Sequence, residues 1–381
     1  MNAKCRVLYV LAEFMYGSKV RQVCDLANGL DRSRFEIEIC GLDFGDEATN
    51  EIAALNVPFY QLRLLPPRDL KARSFGQFLA SPWQLRKRRI DIVHSLLYES
   101  IFLESAIVKA ATPAKYMYTK TNLAWDNHGL NWSLKSRLAD VIVSISRATD
   151  DVLNRHGFGT KTRKIFLGID TDQFRFSPDK RVALRNNLNI GTEALVFGCA
   201  AQFVEWKEHL TLIDAFDRIA ANDHRLHLAF CGPNHSDDYY RTCLKRIETS
   251  PCRDRIHLLG TIQDMPSFFS AIDCFVLPSR TEPFGYVFVE AMSCGRPNIG
   301  CRAYGPLDII VENETGLFCN ASDPENLAAR MKLYLDQPHL LKLHGEAGRK
   351  RAIEIFSKQA MVCNHQDLYL ELWDSDRRRN A

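Results

Sequence analysis

The sequence predicts an α/β protein with two parallel-sheet domains. At 381 residues the chain is too long for one typical domain, and two domains of under about two hundred residues each are expected. Apolar runs rich in β-branched residues alternate with amphipathic segments along the chain, as in sheets built from βαβ units. The alternation pauses between residues 168 and 190, where charges and Pro178 replace it, and then restarts. We therefore expect two α/β domains joined by a linker.

Six apolar runs in the N-terminal half predict strands. Short apolar runs of this kind are typical of buried strands, and amphipathic segments between several of them predict helices. Ser146 is a predicted N-cap for a helix that reaches His156, and Gly157 is its predicted stop. The predicted strands are residues 7–11, 35–40, 91–94, 115–119, 141–145 and 164–167.

Five further apolar runs predict the strands of a second domain of nucleotide-binding type. A helix is expected to end near Ile355, and residues 356–373 predict one more helix after it. The predicted strands are residues 195–200, 226–231, 256–260, 274–277 and 298–300.

Composition indicates an ordinary soluble globular protein, with 46% hydrophobic and 25% charged residues. The apolar run at the N-terminus spans about six residues and stops at Glu13, which is too short for a signal-peptide core or a membrane span. The twelve cysteines form no Cys-x2-Cys pair and no Cys/His ligand spacing, which favours buried reduced thiols over disulfides or a metal site. A cytoplasmic protein is therefore expected.

The charge is uneven although the net charge is only +3. No stretch interleaves basic residues with stacking aromatics, so nucleic acid is not an expected partner. One N-terminal region is basic and apolar, and it has two interpretations: a solvated helix face, or a peripheral contact with an anionic membrane surface. Its residues are Arg63, Arg68, Lys71, Arg73 and 86–89, with Leu62, Leu64, Leu65, Phe75, Phe78 and Trp83.

Two glutamates separated by seven residues are the most informative feature of the chain. The apolar run 274–278 predicts a buried strand and Gly285 precedes an apolar-periodic helix, so Glu282 lies in a loop and Glu290 on the helix. Glu290 then lies about 7.5 Å along the helix from Gly285, and the helix N-terminus between the carboxylates suits an anion. A nucleotide sugar has this layout of hydroxyls, diphosphate and ribose.

This stretch resembles the retaining glycosyltransferases of family 4. Their Glu-x7-Glu motif, followed by Ala-Met and a small-Gly-x-Pro turn, is matched by Glu282, Glu290 and residues 291–297. Residues 202–216 resemble the family's donor-phosphate segment, and residues 305–317 resemble the loop and turn that follow the glutamates. The motifs cover most of the C-terminal half in the family's order and spacing.

The resemblance implies the two-domain GT-B architecture, in which two Rossmann-like domains face each other across a cleft and the last helix crosses back to the first domain. Residues 1–170 are then the acceptor-binding domain, with the crossing helix at about 356–375, residues 171–190 are the linker, and residues 191–355 bind the nucleotide sugar. Independently, ligands of open parallel sheets bind beyond the carboxyl ends of the strands. The resemblance also implies enzymes that need no metal or other cofactor.

Lys207 is the predicted handle for the donor's leaving diphosphate, because it combines an ammonium with a predicted helix N-terminus. The family usually has an arginine where this chain has Gln202, and Arg280 is a candidate for the missing charge. The resemblance assigns Glu290 to the ribose hydroxyls, which one carboxylate can bind as a pair. Glu282 would hold sugar hydroxyls beside the backbone amides of Phe284 and Gly285. Each has a plainer alternative: Glu290 as a glutamate on the helix surface, Glu282 as a charge in a loop, and Lys207 as a solvated lysine.

Candidates in the N-terminal half are weaker. Gly17 resembles the family's glycine-rich turn near the donor phosphates, although a plain turn is an equal alternative. His94 falls where the family often has a His-x-His pair, but the second position is Leu96, and a buried, satisfied histidine is the alternative. A polar and aromatic cluster suits a sugar acceptor, and its residues are Asp126, Asn127, His128 and Trp132.

These observations predict a cytoplasmic glycosyltransferase, peripheral at the inner membrane face, that moves a sugar from a nucleotide diphosphate to an acceptor hydroxyl with retention. A glycan or lipid-linked acceptor is expected, and front-face attack is favoured because no nucleophile is evident. Lys207, Glu282 and His94 are the predicted catalytic residues. The alternatives are a nucleotide-sugar-binding protein without turnover, a nucleotide-sugar epimerase and a glycoside hydrolase with the two glutamates as acid and nucleophile.

Overall fold

The computed structural model describes residues 3–14, 18–44, 52–65, 72–97, 101–123 and 129–380. They form two compact units. The first comprises Met1–Gly168 and Lys358–Ala381, and the second comprises Ile169–Ser357. Each unit contains one parallel sheet with helices, so the predicted α/β class with two Rossmann-like domains is confirmed.

The first unit contains a seven-stranded sheet in the order β3-β2-β1-β4-β5-β6-β7. The strand order reverses direction between β1 and β4, which are neighbours although two strands separate them in sequence. The strands are β1 (Cys5–Phe14), β2 (Phe35–Phe44), β3 (Phe59–Gln61), β4 (Ile92–Ser95), β5 (Lys115–Lys120), β6 (Val141–Ser144) and β7 (Thr162–Lys164).

One helix of the first unit has the bounds that its capping residues predict. Ser146 caps its helix through a reciprocal bond with Thr149, and Gly157, at φ +79°, follows its end, as predicted. The helices are α1 (Ser18–Gly29), α2 (Ala72–Lys87), α3 (Leu103–Ala111), α4 (Gly129–Leu138) and α5 (Arg147–Arg155).

The second unit contains a six-stranded parallel sheet in the order β10-β9-β8-β11-β12-β13. Its strands are β8 (Leu195–Ala200), β9 (Leu226–Cys231), β10 (Ile256–Leu258), β11 (Cys274–Leu277), β12 (Asn298–Cys301) and β13 (Gly316–Cys319). Its helices are α6 (Pro178–Asn187), α7 (His209–Ala220), α8 (Asp237–Glu248), α9 (Met265–Ala271), α10 (Tyr286–Ser293), α11 (Pro306–Ile309), α12 (Pro324–Asp336) and α13 (His339–Phe356).

The linker interpretation is wrong for residues 178–187, which form α6. Pro178 occupies the first turn of this helix, where its missing N–H costs nothing, and Ser177 caps it. Arg181 and Arg185 bind the two oxygens of Asp273 at 2.6 and 2.7 Å, which fixes α6 to the second unit. A proline taken as a sign of a linker is therefore a helix start.

The last helix, α14 (Lys358–Asn380), belongs to the first unit. Tyr369 and Leu372 lie in the core on the α1 side of the first sheet. Gly29 allows α1 and α14 to come together, because a Cβ there would lie 2.7 Å from a methyl carbon of Val362. The end of the chain therefore completes the core of the unit in which it begins.

Candidate active site

The centre of the second sheet has the geometry of a ligand site. β8 and β11 are neighbours in the sheet. After β8 the chain adds β9 and β10 on one side of it, and then crosses to the other side to form β11. Such a switch point opens a crevice at the carboxyl ends of the strands, where ligands of open α/β sheets bind. Lys207 ends a short 3-10 turn (Glu205–Lys207) after β8, and Glu282 lies in the loop after β11, so both belong to connections at this point.

Lys207 and Glu282 form an ion pair through Nζ and Oε2. Their side chains are 16% and 13% exposed, so the pair is shielded but still open to solvent. The carbonyl of Trp206 accepts bonds from the Arg280 amide at 2.9 Å and the Ser279 hydroxyl at 3.1 Å. The two loops are therefore fastened together by backbone and side chains.

Glu208 is a positioning residue that sequence analysis missed. Its backbone is left-handed, with φ 60°, and its side chain is buried. Its Oε1 accepts from Arg280 Nε at 2.7 Å and from the Ser322 hydroxyl at 2.9 Å, and its Oε2 accepts from the Thr211 hydroxyl. The loops of Arg280 and Ser322 and the first turn of α7, which contains Thr211, thus converge on the residue next to Lys207. Non-glycine residues held in this left-handed conformation cluster at functional sites.

Two glycines shape the loop that contains Glu282. Gly285 precedes α10 with φ +103°, a conformation that L side chains rarely adopt. Gly305 donates its amide to the Glu282 carbonyl at 2.8 Å, and a Cβ on Gly305 would lie 2.2 Å from the Phe284 carbonyl oxygen. Phe284 is buried against the rings of Tyr286 and Phe356. The loop is therefore held by a backbone hydrogen bond at Glu282 and by the packing of the Phe284 ring.

Glu290 lies in the second turn of α10 and is buried. Burial raises the pKa of the Cys231 thiol, and the charges of Cys199 and Glu290 add to the increase. Glu282 lies in the loop before α10 and Glu290 lies on α10, so both belong to the segment that follows β11. Their roles towards a donor stay predictions.

Gln202 lies just beyond β8 with its side chain exposed to solvent. Arg280 is also accessible, with 49% of its side chain exposed, and its guanidinium is held by Glu208. The arginine bonds to the residues on both sides of Lys207, through its amide to Trp206 and through Nε to Glu208. A second cation therefore lies beside the Lys207 turn although position 202 lacks one.

His94 is fully buried at the end of β4, and both ring nitrogens have partners. Nδ1 bonds to the Tyr369 hydroxyl and Nε2 to the Thr119 hydroxyl, each at 2.7 Å. The ring stacks on His365 at a centroid distance of 5.6 Å. This arrangement is the satisfied histidine of our alternative interpretation, and it leaves neither nitrogen free to act on a substrate.

These buried histidines predict that acid destabilises the first unit. Burial lowers the pKa of His365 to about 4 and that of His94 well below 6.5. The unfolded chain then binds protons that the folded chain excludes, so stability falls as pH drops from about 6.5 towards 4. His365→Phe should remove about 2 kcal/mol of the stability loss between pH 7 and pH 5, measured by urea unfolding.

Exposed His339 supplies the matched control for this measurement. His339→Phe changes a histidine outside the buried cluster, so it should not reproduce the effect of His365→Phe. An identical pH dependence in the wild type and in His365→Phe would contradict the assignment of the acid effect to this cluster.

Trp132 corrects a prediction. Its side chain is 4% exposed, and its indole N–H donates to the Tyr118 hydroxyl at 3.0 Å. Its ring meets His156 and Phe158 edge to face, with centroids 5.1 and 5.2 Å away. Trp132 is therefore a core residue with no face open for a sugar. Its predicted partners Asp126, Asn127 and His128 lie outside the described residues, as does Gly17.

Lys120 is a second residue that sequence analysis missed. It ends β5 and is buried, and burial together with the charge of Lys19 lowers its pKa to about 6. A strongly perturbed lysine at the carboxyl end of a strand is typical of functional sites. The sequence pattern could not indicate that Lys120 is buried. It lies at the end of a strand, where a solvated lysine is common.

Two parallel α/β units, with a charged site at the strand ends of the second, are the arrangement found in the class of GT-B glycosyltransferases. Family models match both halves of the chain: Glycosyltransferase Family 4 over residues 20–173 and Glycosyl transferases group 1 over residues 180–351. The chain belongs to this glycosyltransferase family.

Curated relatives agree with the family models. N-acetyl-alpha-D-glucosaminyl L-malate synthase of Bacillus anthracis is 28% identical over 178 residues, which cover 46% of this chain and 45% of that protein. A GDP-mannose-dependent alpha-(1-6)-phosphatidylinositol monomannoside mannosyltransferase of Mycobacterium tuberculosis is 25% identical over 295 residues, covering 70% of this chain and 74% of that protein. The alignments with two further curated relatives cover 64% and 50% of those proteins, so the chain matches only part of the length of several relatives.

Solved structures share the fold along nearly the whole chain. Anabaena HepE in complex with UDP and glucose has a TM-score of 0.79 at 18% identity and covers 95% of this chain and 98% of that chain. A glycosyltransferase of Rickettsia africae has a TM-score of 0.84 at 18% identity, with 97% and 99% covered. Among the described residues, no helix has the length and apolar character needed to span a membrane.

Proposed function

We propose that this glycosyltransferase moves a sugar from a nucleotide diphosphate sugar to an acceptor hydroxyl with retention of configuration. The observation that carries the proposal is the Lys207–Glu282 ion pair at the β8/β11 switch point. The pair provides a cation for the leaving diphosphate and a carboxylate for sugar hydroxyls. The two segments that carry them are joined by hydrogen bonds to the Trp206 carbonyl. The HepE complex with UDP and glucose supports a donor of this chemical class.

Lys207 stabilises the negative charge that develops on the leaving phosphate. Its ammonium is largely shielded from water, which strengthens its interaction with an anion relative to a solvated lysine. Glu282 holds it in place before the donor binds. The ion pair with Lys207 is made through Oε2 of Glu282. In our scheme, Oε1 of Glu282 accepts a hydrogen bond from a sugar hydroxyl.

Arg280 supplies the second positive charge that Gln202 cannot. Glu208 is itself held by two hydroxyls and positions the Arg280 guanidinium beside the Lys207 turn. Half of the arginine side chain is exposed, so its remaining N–H groups can reach a phosphate oxygen. The charge lost at position 202 is thereby recovered from the neighbouring loop.

Arg280→Ala should lower kcat for sugar transfer by about tenfold, because it removes one charge-assisted contact to the leaving phosphate at a partly solvated site. Steady-state kinetics with the donor identified by binding would measure it. Arg253→Ala is the matched control, since Arg253 is exposed and lies at the amino end of β10, away from the site. Equal kinetics for the two variants would remove Arg280 from the scheme.

The reaction needs no protein nucleophile in this proposal. The acceptor oxygen bonds to the anomeric carbon on the face that the diphosphate leaves, and the bond from that carbon to the phosphate oxygen breaks. A phosphate oxygen accepts the acceptor's proton. Glu290 binds the ribose hydroxyls and the amides of Phe284 and Gly285 orient the sugar, so catalysis comes from positioning and leaving-group electrostatics. No metal is part of this scheme, and transfer should persist in a chelator.

The acceptor is a cell-surface glycan or a lipid-linked intermediate, and the reaction takes place in the cytoplasm at the inner face of the membrane. Two relatives support this class: a phosphatidylinositol monomannoside mannosyltransferase and the capsular polysaccharide biosynthesis glycosyltransferase CapM of Staphylococcus aureus. CapM is 23% identical over 287 residues. The acceptor-binding residues expected at 126–128 stay predictions.

Product stereochemistry tests the proposal. In the NMR spectrum of the purified product, the anomeric proton of the transferred sugar should show the same configuration as in the donor sugar. Glu290→Ala should raise KM for the donor with the same product configuration, because Glu290 binds ribose and does not touch the anomeric carbon. An inverted product would overturn front-face transfer.

A nucleotide-sugar-binding protein without turnover is the second candidate, and Gln202 favours it. A donor that binds the wild type but yields neither transfer nor hydrolysis with any extract-derived acceptor would support it. Gln202→Arg should then restore turnover if the missing charge is the cause. Interconversion of free nucleotide sugars without acceptor would instead indicate an epimerase.

A further inference from the structure

Helix α2 of the first unit turns a row of large apolar side chains towards solvent. Phe75, Leu79 and Trp83 are 54%, 65% and 62% exposed. Their spacing of four residues rotates each by about 40° from the last, so the three lie on one face of the helix. Large exposed apolar patches on otherwise soluble proteins mark interaction sites.

The opposite face of α2 packs on the protein, and it combines Leu85 with small polar residues. Ser74, Ser81 and Leu85 are 7%, 0% and 0% exposed. The Ser81 hydroxyl donates to the Phe78 carbonyl at 2.8 Å, the acceptor that Pro82 cannot serve because proline lacks an N–H. The helix thus exposes an apolar stripe in addition to the face that it buries, whereas the outer face of an ordinary surface helix is polar.

The basic and apolar region found in the sequence, residues 62–89, therefore consists of a buried part and an exposed part. Leu62, Leu64 and Leu65 are buried in the core of the first unit and take no part in the outward face. Leu79 is added to that face, although the sequence pattern did not single it out. We name the outward face of Phe75, Leu79 and Trp83 the α2 stripe.

The charged residues of helix α2 are all basic. Helix α2 contains no aspartate or glutamate, and its last turn carries Arg86 and Lys87, both exposed. Lys87 Nζ lies 3.5 Å from the centroid of the Trp83 ring, so the ammonium continues the stripe at its C-terminal end. Arg88, in contrast, turns inward to Glu38 at 2.8 Å. Of the residues 86–88, Arg86 and Lys87 thus stay exposed at the end of the stripe.

We infer that the α2 stripe docks on the surface of an anionic lipid bilayer. Apolar and aromatic side chains flanked by lysine and arginine are the composition of helices that lie in the headgroup region. A second copy of the chain fits less well, because the three side chains offer on the order of 350 Å² of surface, whereas a stable dimer buries about 800 Å² per partner. Two copies would also bring like charges together.

The inference deepens the proposed function, because a bilayer-bound enzyme is placed where lipid-linked acceptors are. It does not depend on the donor site, and its test requires no catalysis. Failure of vesicle binding would therefore leave sugar transfer intact, and failure of transfer would leave vesicle binding intact. The two proposals can be separated in one preparation of the full chain.

Flotation with vesicles tests the inference. The full chain should float with phosphatidylcholine vesicles that contain about a quarter phosphatidylglycerol, and binding to pure phosphatidylcholine should be at least tenfold weaker. The triple variant Phe75→Ser, Leu79→Ser, Trp83→Ser should lose at least tenfold in bound fraction. Arg86→Glu with Lys87→Glu should lose binding to the anionic vesicles by a similar factor, and high salt should mimic that loss.

A matched triple variant controls for general loss of exposed apolar surface. Val182→Ser, Leu343→Ser, Ile353→Ser changes three exposed apolar residues of the second unit and should float as the wild type does. Unchanged Tm in both triple variants would verify folding. Undiminished binding of the α2 triple variant, or a wild-type dimer that this variant dissociates without any vesicle binding, would overturn the inference.

Discussion

Lys207→Ala is expected to lower kcat for sugar transfer by about a hundredfold to a thousandfold, the effect of removing a main electrostatic contact to a developing anion. The ammonium is paired with Glu282 in a largely shielded site, so water cannot take over its role at equal strength. Glu282 would also lose the partner that holds it. Donor affinity should fall too, because the diphosphate already carries negative charge in the ground state.

Lys245→Ala is the matched control for this experiment. Lys245 is an exposed lysine on α8 in the same unit, so the change removes one positive charge from the domain without touching the site. Steady-state kinetics and calorimetric donor titrations on both variants separate a local contact from a general field effect. A kcat for Lys207→Ala within threefold of the control would contradict the assignment.

Gly305→Ala is expected to disrupt the site from a residue that binds no ligand in our scheme. A Cβ at position 305 would lie 2.2 Å from the Phe284 carbonyl oxygen and 2.6 Å from its carbonyl carbon, so backbone must move. The bond from the Gly305 amide to the Glu282 carbonyl would be lost with that shift. We expect destabilisation of about 2 kcal/mol or more and donor binding at least tenfold weaker.

Gly191→Ala provides the comparison, since a Cβ at position 191 meets no atom within 4 Å. It should leave both the free energy of unfolding and donor affinity near the wild-type values. Urea unfolding and donor titration would measure both quantities. If Gly305→Ala behaved like Gly191→Ala, the loop would be more tolerant than its packing indicates.

Most strands followed from the sequence, because they are buried apolar runs. Residues 274–277 are all buried in β11, as their composition predicts. The short strand β3 is only partly buried and carries no such signal, so it was missed. Strand β7 covers residues 162–164, ahead of the predicted 164–167, because this edge strand is polar and exposed. Strand β13 was also absent from the prediction.

The site followed from the sequence only in part. Motif spacing indicated Lys207 and Glu282, and their ion pair is a tertiary contact that no local pattern contains. Glu208 could not have been found, because its left-handed backbone and its bond to Arg280 arise from the meeting of three loops. Trp132 was misassigned since a polar neighbourhood in sequence does not report the burial of an aromatic ring.

Donor binding tests the central claim most directly. A panel of nucleotide sugars would be titrated into the wild type, Lys207→Ala, Glu290→Ala and the control Lys245→Ala, with heat of binding and Tm as readouts. The account predicts one donor that binds the wild type and the control alike, and binds both site variants at least tenfold more weakly. A donor that binds all four proteins equally, or no donor at all, would contradict a nucleotide-sugar site at the β8/β11 switch point.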